Sequence, residues 1–359
     1  HCAPNENFAR EIMQLFSLGV FKLNPDGTPV RSSSGDFVET YTQRDVEELA
    51  RAFTGWPHSN HPPNRPQRNT MNWAKPMVPS TWPPERDAGA KTVLGRAFPA
   101  GQSQDKDLRD AISMLMEHPN IAPFVATRMI QHLVKSNPTP AYVARGAARF
   151  RDNGQGMAGD MKAVVKAVLL DAEARAGDNP ATSRSDNGKF REPFLQRTAA
   201  WRGMGCARFP VNQWGPFLPQ NQKPFAPESV FSFYAPTDRA PGSNLLAPEQ
   251  KLVNASEFTG RLSLTQSVRW SASQQENRLK GLVDAGCNVE ALLAAYGRSS
   301  RDFNDYLSTR FFRGAMPPTL RSNIEQLIQQ PHWDTKDLAE GALRMFDFAL
   351  TSPYYGVIK

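Results

Sequence analysis

Glu6 and Glu11 stand near the start of the chain in the run Asn5-Glu6-Asn7-Phe8-Ala9-Arg10-Glu11. Two carboxylates with amides and a guanidinium about one helical turn apart can move protons or hold a hard cation. In an enzyme, Glu6 and Glu11 would be the catalytic carboxylates, with Asn5, Asn7 and Arg10 orienting them or the substrate. Without chemistry, the same residues make a structural network. Glu6 to Arg10 is then an ordinary i, i+4 ion pair, and Glu11 caps or pairs with a neighbouring helix such as the one carrying Arg44 or Arg51.

A second candidate lies between Trp56 and Glu85, where Trp56, Trp73 and Trp82 stand among prolines, asparagines, His58 and His61. Flat aromatic faces with polar neighbours can stack on sugar rings, so these tryptophans are candidate substrate-binding residues. Tryptophans in a long loop also act as anchors, because each buries a large apolar area. The sequence favours anchoring.

No metal site is assigned. His58 and His61 are close enough to share an ion, and His1 would chelate copper if its amine were free, but neither pattern is specific. His118 and His132 fall in or beside helical stretches and read as core or surface histidines. The turn Asp152-Asn153-Gly154-Gln155-Gly156, ending at Asp160, offers oxygen ligands but lacks the spacing of a helix-loop-helix calcium site. It reads as a connection capped by Asp160. Gly-rich phosphate loops, dinucleotide fingerprints, Gly-x-Ser-x-Gly elbows and His-Glu-x-x-His are all missing, so nothing names a cofactor or a familiar hydrolase.

The elements that must position these residues are helices. Phe8, Ile12, Leu15 and Phe16 give residues 5–18 an apolar stripe, with Gly19 placed to end the helix in a left-handed cap. A hairpin-like excursion through Asn24-Pro25-Asp26-Gly27 follows. Thr42 and Asp45 make a capping box before Val46, Leu49, Ala50 and Phe53. Helical patterns recur near 105–118, 121–135, 140–151, 160–171, 190–204, 255–268, 288–296, 301–312, 318–330 and 334–351. No succession of alternating strands builds a sheet. The expected class is all-α, a multi-helix array with long Pro- and Trp-rich loops. Residues 1–359 read as one helical domain, with a subdivision near 205–228 where the pattern lapses.

A chain of 359 residues with 40 % hydrophobic content can bury a sizeable core. No run approaches the roughly 18 apolar residues of a membrane span, so none is expected. The net charge of +7 is scattered among acids, which argues against a nucleic-acid partner. Cys2, Cys206 and Cys287 lack zinc or redox spacing. Either Cys206 and Cys287 pair in an oxidising compartment, or all three are buried thiols.

Several segments resemble a bacterial family known as domain of unknown function 1800. They are Asn5 through Gly19, Tyr41-Thr42 through Asp45, Ala52-Phe53-Thr54-Gly55-Trp56, Lys91-Thr92-Val93-Leu94-Gly95 and Ser136-Asn137-Pro138-Thr139-Pro140. Further along are Asp152 through Gly156, Arg191-Glu192-Pro193, Ser229-Val230-Phe231 and Thr351-Ser352-Pro353. The matches keep their order along the chain. The resemblance implies an extracytoplasmic protein, periplasmic or secreted, and a long segment with an export signal ahead of Asn5, so the chain looks like a C-terminal portion. It also implies a partner, either that upstream segment or a second exported family related in appearance to sulfatases. The function expected from residues and resemblance together is binding or cleaving an extracellular polymer such as a glycan through a carboxylate-lined cleft. The alternative is a non-catalytic envelope binding or scaffold protein.

Overall fold

The computed structural model describes residues 4–59, 72–179, 187–208, 211–212, 215–216, 221–223, 225–254, 274–330 and 337–358. Among them are thirteen α-helices and three antiparallel pairs of strands, none longer than three residues. The protein is all-α. The chain forms two compact units: His1–Leu133 with Pro138–Arg175, and Val134–Asn137 with Ala176–Lys359. The main boundary falls at Arg175, ahead of the 205–228 segment.

The first unit begins with α1 (Glu6–Gln14) and α2 (Gln43–Ala52). These helices close over Ala9, Met13, Val46 and Leu49, all fully buried. Gly19 takes the expected left-handed conformation at φ +76°, where its N–H reaches the Met13 carbonyl at 3.0 Å. A side chain there would meet the Phe124 ring at 2.8 Å. The Asn24–Gly27 excursion is a turn closed by Gly27 N–H on the Asn24 carbonyl at 2.9 Å. Asn120 pins the strand-like segments around it, donating to the Leu18 and Phe21 carbonyls and accepting from Leu23 N–H. Thr42 and Asp45 form the capping box that the sequence offers.

After a short 3₁₀ turn at Pro83–Glu85, β1 (Lys91–Val93) and β2 (Arg96–Phe98) pair as a hairpin. Its two-residue turn, Leu94-Gly95, has φ of 48° and 79°, as the tightest hairpins require. This pair goes unnoticed in the sequence because three residues are too few to show alternation. Helices α3 (Gln104–Glu117), α4 (Ile121–Leu133), α5 (Pro140–Arg151), α6 (Met161–Leu170) and the single turn α7 (Ala172–Arg175) complete the unit. Gly146 of α5 lets that helix approach α4 closely, since a Cβ there would sit 3.2 Å from the Ala126 methyl. Tyr142 is wholly buried and donates its hydroxyl to the Val168 carbonyl at 2.6 Å, which satisfies its one polar atom.

The second unit contains β3 (Lys189–Phe190), α8 (Pro193–Gly203), the pair β4 (Val211–Asn212) and β5 (Gly215–Pro216), and a 3₁₀ turn at Pro248–Leu252. It continues through α9 (Gln274–Asp284), α10 (Val289–Arg298), α11 (Ser300–Phe311), α12 (Pro318–Ile328) and α13 (Leu338–Thr351), and ends in β6 (Val357–Ile358), paired with β3. Phe303, Leu307, Phe311, Phe346 and Leu350 centre its core. Cys206 and Cys287 are joined by a disulfide. Helix α9 escapes the sequence reading because Gln274-Gln275-Glu276-Asn277-Arg278 carries no apolar period. The helical pattern at 255–268 and residues Cys2, His1 and His61 lie outside the described residues.

Candidate functional site

The first turn of α1 is held by Asn5, whose side chain accepts from Asn7 N–H at 2.9 Å and so acts as the helix N-cap. Asn5 thus has a structural task, while the Asn7 side chain is exposed. Glu6 is engaged on two sides. Its Oε2 accepts from Gln43 Nε2 at 2.8 Å and from Arg10 Nη2 at 3.5 Å, and Arg10 in turn donates to Gln43 Oε1 at 2.8 Å. Gln43 also reaches Glu47, so the cluster fastens α1 to the start of α2. Both charged side chains of the Glu6–Arg10 pair are more than a third exposed, which limits the worth of the pair to less than about 1 kcal/mol.

Glu11 differs. Its Oε2 is buried and, among the described residues, has no hydrogen-bond partner. The helix of Arg44 and Arg51 does not supply one: Arg51 is bound to Glu48 at 2.9 Å and to Asp87 at 2.8 Å, and Arg44 is exposed. Close by, the Tyr41 hydroxyl donates to Gln14 Oε1 at 3.3 Å. Burial raises the Tyr41 phenol above its ordinary pKa, with the Glu11 and Glu39 charges pushing the same way and Arg10 opposing. A buried carboxylate oxygen facing no donor is a cost to the fold. Glu11→Gln is therefore expected to melt at or above the parent temperature in a thermal scan, and Glu6→Gln slightly below it. A drop of several degrees for Glu11→Gln alone would mean that the carboxylate has a stabilising partner.

The tryptophans divide by burial. The ends of their loop run side by side, with Ser80 N–H on the Gly55 carbonyl at 2.9 Å and Val78 N–H on the Pro57 carbonyl at 3.1 Å. Trp56 and Trp82 are half-buried where the loop leaves and rejoins the body, which is an anchor's position. Trp73 is 83 % exposed. Its ring lies edge-on to His58, centroids 5.4 Å apart, and His58 Nδ1 is 3.3 Å from the Asn72 carbonyl. Among the described residues no hydrogen bond, ion pair or ring contact joins Glu6, Asn7, Arg10 or Glu11 to Trp56, Trp73 or Trp82. The aromatic neighbour of α1 is Phe53, which meets Phe8 at 5.4 Å.

Two buried charge clusters are invisible to sequence reasoning. In the first unit Asp107, wholly buried, accepts from Arg86, from Lys91 Nζ at 3.1 Å and from Gln102 Nε2 at 2.7 Å. In the second, Lys189 Nζ lies 2.8 Å from Glu249 and 3.9 Å from Glu192. Glu192 also accepts from Gln222 and from the Tyr234 hydroxyl at 2.8 Å. Burial beside Glu192 and Glu249 pushes the Tyr234 phenol far upward. The Arg191 guanidinium stacks over the Tyr355 ring at 3.9 Å, and the buried Tyr355 phenol is pushed up to about 12. The only hint of either cluster is that Lys91 and Arg191-Glu192 lie in segments that carry the family resemblance.

Among the described residues no group of three or more His, Cys, Asp or Glu could hold a metal ion, and no helix is long and apolar enough to cross a membrane. No curated protein and no solved structure matches the chain. A family model does: the one described as Protein of unknown function (DUF1800) covers residues 1–357, essentially the whole sequence. The chain belongs to the DUF1800 family.

Proposed function

We propose that this protein works outside the cytoplasm as a non-catalytic binding protein for an extracellular polymer such as a glycan, with Trp73 as its stacking ring. The observation that carries the reading is Trp73 itself: a large apolar ring, 83 % exposed and braced by His58, does nothing for the core and is free to stack on a sugar face. The Cys206–Cys287 disulfide supports the location, because such bonds persist in oxidising compartments. Hydrolysis of a glycosidic bond canonically uses two carboxylates with separate tasks. Glu6 Oε2 is held by Gln43 and Arg10, and among the described residues Glu11 is the member of the α1 pair with a buried, unpartnered oxygen.

The test is affinity electrophoresis of the full chain in gels containing soluble polysaccharides. Trp73→Ala should weaken retention by about tenfold or more, as removal of a stacking tryptophan does at binding hot spots. Its melting temperature should stay with the parent's, since substitutions at exposed positions move stability by about 0.5 kcal/mol or less. Unchanged retention of the variant on every polymer that retains the parent would remove Trp73 from the site. An enzymatic second reading rests on the free buried oxygen of Glu11 alone, and in it Glu11→Gln abolishes turnover while sparing binding.

A further inference from the structure

Helices α5 and α6 and the turn between them enclose an open groove of about 580 Å³. Arg149 projects from α5, and Lys162 and Lys166, one helical turn apart, project from α6. All three are exposed. No acid neutralises Lys162 or Lys166 by an ion pair among the described residues, and Arg149 donates only to the Asn153 carbonyl at 3.1 Å, which holds its guanidinium over the turn. Of the acids around the groove, one is neutralised by an ion pair and two keep their charge, Asp160 near Lys162 and Asp152 near Arg149. Asp171 is gripped by Arg145 through two hydrogen bonds of 2.6 and 2.8 Å. Asp160 caps α6 and accepts from Asn153, and those donors hold its carboxyl below the usual range. Asp152 accepts the N–H groups of Gly154 and Gly156, which likewise lower it. Arg149, Lys162 and Lys166 therefore face two carboxylates without an ion-pair partner, Asp152 and Asp160, which leaves a positive excess in a cavity large enough for a sugar ring or two.

We propose that this groove binds an acidic sugar unit, one bearing a carboxylate or a sulfate. The three cations take the anionic group, Gln155 offers its amide for hydroxyls, and the exposed Leu170 side chain gives an apolar face. Among the described residues no aromatic ring lines the groove, so a nucleic-acid base finds none of them to stack on. The inference stands apart from the role of Trp73 and names a second site with its own charge requirement.

The experiment is calorimetric titration of the full chain with polygalacturonate, dextran sulfate, neutral dextran and single-stranded DNA at two salt concentrations. At least one acidic polysaccharide should bind, more weakly at the higher salt, and which of the two binds identifies carboxylate or sulfate as the partner group. The double variant Lys162→Glu/Lys166→Glu should lose at least tenfold in that affinity. Lys22→Glu/Arg44→Glu, an equal change of net charge on exposed residues elsewhere in the first unit, should lose much less. Trp73→Ala should keep the salt-dependent part of the binding, so loss of the Trp73 site and loss of the groove are read separately. Equal affinity of the α6 double variant and the parent overturns the proposal. So does the absence of any acidic-polysaccharide binding, or DNA bound as tightly as the best sugar polymer.

Discussion

Asp107→Asn is expected to lower the stability of the first unit by about 3–5 kcal/mol, the range found when one partner of a buried ion cluster is removed. Asp107 is fully buried on α3 between Arg86 and Lys91, themselves 8 % and 1 % exposed at the side chain. Arg86 has further work: its Nη1 donates to the Arg51 and Ala52 carbonyls at the end of α2 and to Thr54 Oγ1. Those carbonyls have no partner inside the helix. The cluster thus closes the C-terminus of α2, holds the segment that follows the Trp-rich loop, and ties both to α3. With an amide at position 107, two buried cations lose their counter-charge. Urea unfolding followed by circular dichroism should show the midpoint falling sharply, while Asp110→Asn, whose partner Lys106 is half-exposed, shifts it little. If Asp107→Asn lay within about 1 kcal/mol of the parent, the cluster would not be what holds this region together.

Reduction of the Cys206–Cys287 disulfide is expected to cost the second unit about 4 kcal/mol. The two cysteines are 81 residues apart, and closing a loop of that length removes this much chain entropy from the unfolded state. The bond connects the segment after α8 to the one before α10, where Asn288 N–H also reaches the Met204 carbonyl at 2.8 Å. In the chain-entropy account the effect falls on the unfolded chain, with the native contacts expected to stay. Paired melts with and without reductant, with Cys206→Ala/Cys287→Ala as the second arm, should agree with each other. A reductant effect that survives in the double variant would place its cause elsewhere.

How much of this was legible follows from the range over which each signal acts. Helix α1 and the Thr42–Asp45 capping box are written within a few residues and the structure has both, but α1 stops at Gln14, short of the left-handed Gly19 expected to end it, and Asn5 serves as its cap rather than as an orienting residue. The hairpin at Lys91–Phe98 and helix α9 were not legible, the first because it is too short for a period and the second because its start is polar. In the sequence Asp107 is one of two acids in the first turn of α3, with nothing to set it apart. Only the fold shows that Arg86 and Lys91 converge on it from a different part of the chain. The pairing of Cys206 with Cys287 was one of two readings that spacing left open, and the disulfide decides it. Within the candidate site, the Glu6–Arg10 pair was readable from i, i+4 spacing. The difference between Trp73, exposed, and its half-buried companions Trp56 and Trp82 was not, because residue type carries no burial.

In the proposed reading both sites serve recognition rather than turnover. Trp73 presents an aromatic face, the α5–α6 groove presents cations, and of the two acids that suggested chemistry Glu6 is occupied in holding α1 to α2. The central claim, polymer binding without cleavage, is tested most directly by incubating the oxidised full chain with insoluble and soluble polysaccharides and measuring both retained protein and newly formed reducing ends. Retention that Trp73→Ala diminishes, with no new reducing ends, is the predicted result; release of reducing ends that Glu11→Gln abolishes would contradict it, as would failure of the parent chain to bind any of the polymers.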